Sequence, residues 1–286
     1  MCGVSQAYKR GQQITPPEPE HTGYYVSEQT AKEIENKVST WDPSKDENAW
    51  EMSGLIEGDI LPPSGDLGKN GLRGDKYRWK DGIVPYFITE LEFSDENIEK
   101  VLDAIQEYHN KTCIRFRPFR LTDRDFIMIR SSRPGCWSSV GRQSGGQVVN
   151  LQVPGCNHRG IIIHEFLHAL GFFHQQSAAD RDDHVKIHWE NIQEGRENNF
   201  EKYNDTVVTS YEQVYDYTSI MHYSSKAFSK NGEVTIEPLQ AEAKIGQRDH
   251  LSDADIAKLN AMYKTECENR ENNPEPEFSL TSWLFQ

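Results

Sequence analysis

His164-Glu165-Phe166-Leu167-His168-Ala169-Leu170-Gly171-Phe172-Phe173-His174 decides how this chain is read. It overlaps a run from Ile161 to Leu170 that is apolar enough to be a buried helix, on which residues four apart stand one turn above each other. His164 and His168 therefore offer two imidazoles to one ion. Gly171, free to take the left-handed conformation, ends the helix and turns the chain back. His174 then adds a third ligand from outside it. Three neutral imidazoles suit zinc, one ion per chain, and leave a fourth position for water, as in a catalytic rather than a structural site. Bound zinc brings the pKa of its water to roughly 7. Glu165 is placed to take that proton and pass it to the leaving amine. A lone histidine on such a helix is more often a hydrogen-bonded core residue. Three of them, with Glu and Gly at these spacings, reverse that expectation.

Ser219-Ile220-Met221-His222-Tyr223 follows downstream. Met221 is expected to pass beneath the metal as an apolar floor, and the Tyr223 phenol to reach the zinc or the oxyanion. His222 reads as structural, because three ligands are already supplied. The histidine string with a later methionine turn is the metzincin pattern. Together with Asp180-Arg181-Asp182, Trp189-Glu190-Asn191-Ile192 and Ile245-Gly246-Gln247-Arg248, it makes the chain resemble the astacin family of metzincins over roughly Asn70–Cys267. The resemblance implies an α+β catalytic domain of two lobes, with a twisted mixed sheet, a long active-site helix and a horizontal cleft. It implies that Tyr223 is a zinc ligand at rest and swings away to stabilise the transition state. By position it pairs Cys113 with Cys267 and Cys136 with Cys156. Trp137, beside the second pair, is a candidate cleft residue, with plain packing as the alternative. Reduced thiols would require a cytosolic protein.

Ile56-Glu57-Gly58-Asp59 resembles the astacin propeptide switch, in which the aspartate replaces the catalytic water on zinc, although the family usually has Phe where Ile56 stands. That implies a propeptide at 1–69, acidic and largely irregular apart from a helix at Ser27–Trp41. Gly65, Gly68, Gly71 and Gly74 surround Lys69-Asn70, the kind of exposed stretch that proteases nick. Cleavage after Lys69 by a trypsin-like protease would leave Asn70 as the new N-terminus. Gln175 departs from the family, which usually has Glu directly after the third histidine to receive that N-terminal ammonium.

Within 70–267, Ile83–Ile88, Phe126–Ile129 and Gln147–Leu151 read as strands. Ser94 caps an amphipathic helix, and Ser252-Asp253-Ala254-Asp255 is a capping box opening a helix through Met262. Residues 268–286 read as a disordered tail. At 286 residues and 36% hydrophobic, the chain supports one sizeable core in part of its length. The mean hydropathy of −0.77 leaves the rest solvated.

A formal charge of −14 argues against an extended nucleic-acid footprint. No apolar run reaches about 18 residues, so membrane insertion is not expected. Met1–Pro17 lacks the apolar segment of a secretory signal, from which a truncated or misassigned start is expected. The sequons at Asn110 and Asn204, and five cysteines compatible with two disulfides and an odd Cys2, point outside the cell. The function expected is a secreted zinc endopeptidase acting on protein or peptide substrates and made as a latent precursor. A zinc-bound but inactive binding protein would require loss of Glu165 or of a ligand. A purely structural zinc protein conflicts with the open fourth position.

Overall fold

The computed structural model describes residues 14–19, 26–44, 47–62, 75–203 and 210–272. Cys2, the Lys69-Asn70 stretch, the Asn204 sequon and the chain beyond Asn272 lie outside them. The elements run α1 (Glu28–Ser39), β1 (Ile83–Ile88), α2 (Asp95–Lys111), β2 (Arg115–Pro118), β3 (Phe126–Arg130), β4 (Cys136–Ser138), β5 (Gly146–Leu151), α3 (Arg159–Ala169), β6 (Val185–Ile187), β7 (Ile236–Pro238), α4 (Asp253–Met262) and α5 (Lys264–Asn272).

The sheet has the order β2-β1-β3-β5-β4. Its first four strands pair parallel, and β4 closes one edge antiparallel to β5, which makes the sheet mixed. The near-continuous apolar sequence of β1 fits a parallel strand covered on both faces. Pro85 is tolerated there because β1 pairs with β3 only from Tyr86 onward. In α2, Ser94 Oγ accepts from Asn97 N, acidic residues fill the first turn, and Ile98, Val101, Ile105 and Tyr108 are buried. Tyr108 donates to the Ile163 carbonyl at 2.7 Å, fixing α2 to α3.

α3 is buried on all sides, as a helix apolar around its whole circumference must be. The carbonyls of its last turn find donors elsewhere: Trp79 Nε1 reaches Ala169 O and the Tyr263 hydroxyl reaches Leu170 O, both at 2.9 Å. Gly171 follows at φ 114°, a conformation that side chains resist.

Two expectations change. Glu268–Asn272, read as disordered, continue α5, because the Cys113–Cys267 disulfide, the Arg78–Glu266 ion pair at 2.6 Å and the Arg270 bond to Asp81 O hold a polar segment that has no local apolar pattern. The described part of the N-terminal region is also less solvated than its composition implies. Ile34, Val38, Trp41, Ala49 and Trp50 share one buried cluster with Tyr108, Phe166 and Met221.

Candidate active site

The axial spacing of α3 and the turn at Gly171 bring His164, His168 and His174 together, and a buried strand-like segment brings Asp59 onto them. One ligand atom from each of the four lies within 4.8 Å of the others. Asp59 Oδ2 is 3.0 Å from His164 Nε2 and 3.3 Å from His174 Nε2, while Oδ1 is 3.4 Å from His168 Nε2. A tetrahedron of ligands about 2.0–2.1 Å from a zinc has edges of about 3.3 Å.

The outer nitrogens are all engaged. Nδ1 of His164 donates to Ile220 O at 2.8 Å, that of His168 to Phe172 O at 2.7 Å, and that of His174 to Glu57 Oε2 at 2.8 Å. Each bond fixes the tautomer that leaves Nε2 with its lone pair pointing inward. Asp59 Oδ1 and His168 Nε2 are buried without a hydrogen-bond partner. Buried polar atoms are rarely orphaned, and a metal at this point would partner both. Donor set, separations and tautomers fit zinc, held by the three Nε2 atoms and the Asp59 carboxylate.

Both Glu165 oxygens are likewise buried and unpartnered. Burial, and after it the Asp59 charge, push Glu165 well above the usual carboxylate range. For Asp59 itself burial opposes ionisation, but the histidines facing it hold its carboxyl well below that range.

Tyr223 is not among the converging atoms. Its hydroxyl donates to the Glu57 carbonyl at 2.6 Å, and its ring lies 4.7 Å from that of His174. Met221 is buried, its carbonyl accepting from Gln175 N at 2.9 Å. His222 donates from Nδ1 to Tyr223 O and accepts from Tyr215, apart from the cluster. Burial pulls His222 down to about 4. The disulfides join Cys113 to Cys267 and Cys136 to Cys156. Trp137 is buried against Leu61 and Val148, with Leu55 alongside.

Residues 57–61 occupy this ground through main-chain bonds. Ser138 N donates to Asp59 O at 3.0 Å and Leu61 N to Ser138 O at 2.9 Å, adding a parallel rung to the free edge of β4. Gly58, at φ 93°, has room for no side chain, since a Cβ would meet Glu51 Cα and the Trp50 carbonyl at 3.0 Å. Sequence reading missed three neighbours. Glu57 bonds His174 and the Tyr203 hydroxyl. Trp50 stacks on His164 with ring centroids 4.1 Å apart. Glu51 accepts from Ser224 N and Oγ beside Tyr223. Only their closeness in sequence to Asp59 could have flagged them.

The model of the Astacin peptidase family matches residues 72–264. Zinc metalloproteinase nas-13 of Caenorhabditis elegans is 45% identical over 195 residues, covering 68% of this chain and 43% of that protein. Meprin A subunit beta of Homo sapiens is 42% identical over 213 residues, 73% of this chain and 29% of that protein. The chain thus spans less than half the length of either relative. Among solved structures, high choriolytic enzyme 1, a hatching enzyme zinc-protease of Oryzias latipes, is 38% identical with a TM-score of 0.63, covering 68% of this chain and 99% of that one.

Proposed function

This chain belongs to the astacin family of peptidases, and from that premise we propose that it is a zinc-dependent endopeptidase held latent by its own N-terminal segment. The observation that carries the reading is the convergence of three Nε2 atoms and the Asp59 carboxylate beside the unpaired carboxyl of Glu165. Zinc, when bound, supplies a Lewis acid that polarises the scissile carbonyl and acidifies the attacking water.

The chain supplies the rest. Glu165 takes a proton from that water and returns it to the leaving amine; loss of Asp59 removes one of the two influences that raise its pKa. Tyr223, released from Glu57, turns its hydroxyl toward the oxygen on which charge develops. Ser138, released from Asp59 and Leu61, offers its N–H and carbonyl to an extended substrate laid along β4. Trp137, uncovered by loss of Leu55 and Leu61, lines that path.

In the precursor, Asp59 fills the position water needs, and residues 1–69 act as the propeptide of a catalytic domain at 70–267, with α5 running past that boundary. A trypsin-like protease cutting after Lys69 would release it. Two disulfides, and a sequon asparagine, Asn110, exposed on α2, support an extracellular setting. No helix among the described residues is long and apolar enough to cross a membrane.

Metal analysis of the purified chain, with a denatured-protein cleavage assay after trypsin treatment, tests the reading. One zinc per chain and hydrolysis are expected. Zinc without hydrolysis would instead mark a binding protein, and absence of zinc would refute the site.

A further inference from the structure

α4 grips the metal site through two side chains one turn apart. Asp255 accepts from Ser219 Oγ at 2.6 Å and from Ile220 N at 3.0 Å. Ile220 in turn offers its carbonyl to His164 Nδ1 at 2.8 Å. Lys258, 7% exposed, donates its ammonium to Gln175 Oε1 at 2.7 Å. Gln175 directly follows His174, and its N–H is bonded to Met221 O.

A buried ammonium is costly unless something offsets its lost hydration. Burial pulls Lys258 below the usual lysine value, opposed by the charges of Asp255, Asp216 and Asp180. A cation kept in such a place, bonded to a neutral amide, gains no large electrostatic stabilisation from that amide. What the bond does supply is geometry: it fixes the side chain next to the third histidine to a helix that already holds the methionine turn.

We infer that Lys258 is a positioning residue for the active site, holding the His174 loop against α4 through Gln175 as Asp255 holds the methionine turn. The inference rests on the zinc-site reading of His164, His168 and His174. Zinc retention reports on it whether or not the protein cleaves peptides, so failure of the peptidase reading and failure of this one give different results.

The test compares zinc release to a chromophoric chelator from the full chain of the wild type, Lys258→Met, Lys258→Gln, Gln175→Met and Lys258→Met/Gln175→Met, with kcat and KM measured after trypsin processing. Lys258→Met is expected to release zinc several-fold faster, short of the roughly tenfold or more that follows loss of a direct outer partner of a metal ligand, because Lys258 reaches His174 only through Gln175. Its kcat should fall while KM holds. The double variant should be no worse than either single, because both remove one contact. Lys258→Gln, which keeps a donor, should recover part of the loss, and with Gln175→Met it decides the matter should Lys258→Met fold poorly. Wild-type zinc release and kcat in Lys258→Met with only a lower melting temperature, or additive losses in the double variant, would overturn the inference.

Discussion

The hydroxyl of Tyr223 donates to the main-chain carbonyl of Glu57 at 2.6 Å, two residues before the carboxylate that faces the three histidines. The proposed latency therefore rests on more than one contact. Asp59→Ala frees the metal position but leaves Tyr223, His174 and the β4 edge engaged. The uncut variant is expected to show partial activity, well below that of the processed enzyme, and Asp59→Ala/Glu57→Gly no less than Asp59→Ala. Hydrolysis by uncleaved protein measures it; a fully silent Asp59→Ala precursor would remove Asp59 from the switch.

Glu165 touches none of the ligand atoms through a hydrogen bond, so Glu165→Ala should keep its zinc. Its turnover should drop by about 10²–10⁴-fold, the usual worth of a general acid–base step. Metal content and kcat read together check this. A variant with full zinc and more than about a tenth of wild-type turnover would leave the proton transfer to another group.

The histidine site was legible because its parts are local: one helical turn, one glycine and a loop fix three ligands within eleven residues. Glu57, Trp50 and Glu51 were not, since their roles exist only after a segment over 100 residues upstream packs onto α3. The strands β2, β4, β6 and β7 are three or four residues long, too short for alternation to register. The α5 extension to Asn272 escaped for the converse reason, being held by a disulfide, an ion pair and a bond to a main-chain carbonyl rather than by an apolar face.

Propeptide docking should depend on pH through Glu51. Burial pushes its carboxyl from 4.5 up to about 7, against the hydrogen bonds of Ser224 and Asn48. The docked state then binds more protons than the released one. Its contribution to docking is full below the free value near 4.5 and is lost as pH rises through about 7. After nicking, the propeptide should stay bound longer at about pH 5 than at about pH 8, and Glu51→Gln should flatten that difference. Retention on a tagged catalytic domain at each pH measures it.

Gln175 Oε1 is already engaged by Lys258 within the chain. A new N-terminal ammonium therefore meets an amide with a partner, not a free carboxylate, and gains less there than from a charge pair. Processed forms one or two residues longer than the Asn70 start should keep most of their activity, while Gln175→Glu should raise the melting temperature of the Asn70 form. Activity confined to that form, with no response to Gln175→Glu, would assign the terminus to another acid.

The central claim is a zinc peptidase silenced by its own Asp59 segment, and its most direct test is hydrolysis of a denatured protein by one preparation before and after cleavage at Lys69, each with chelator and with zinc restored. The account predicts zinc in both forms, little activity before cleavage, high activity after it, loss with chelator and recovery with zinc. Equal activity before and after cleavage, or activity indifferent to the chelator, would contradict it.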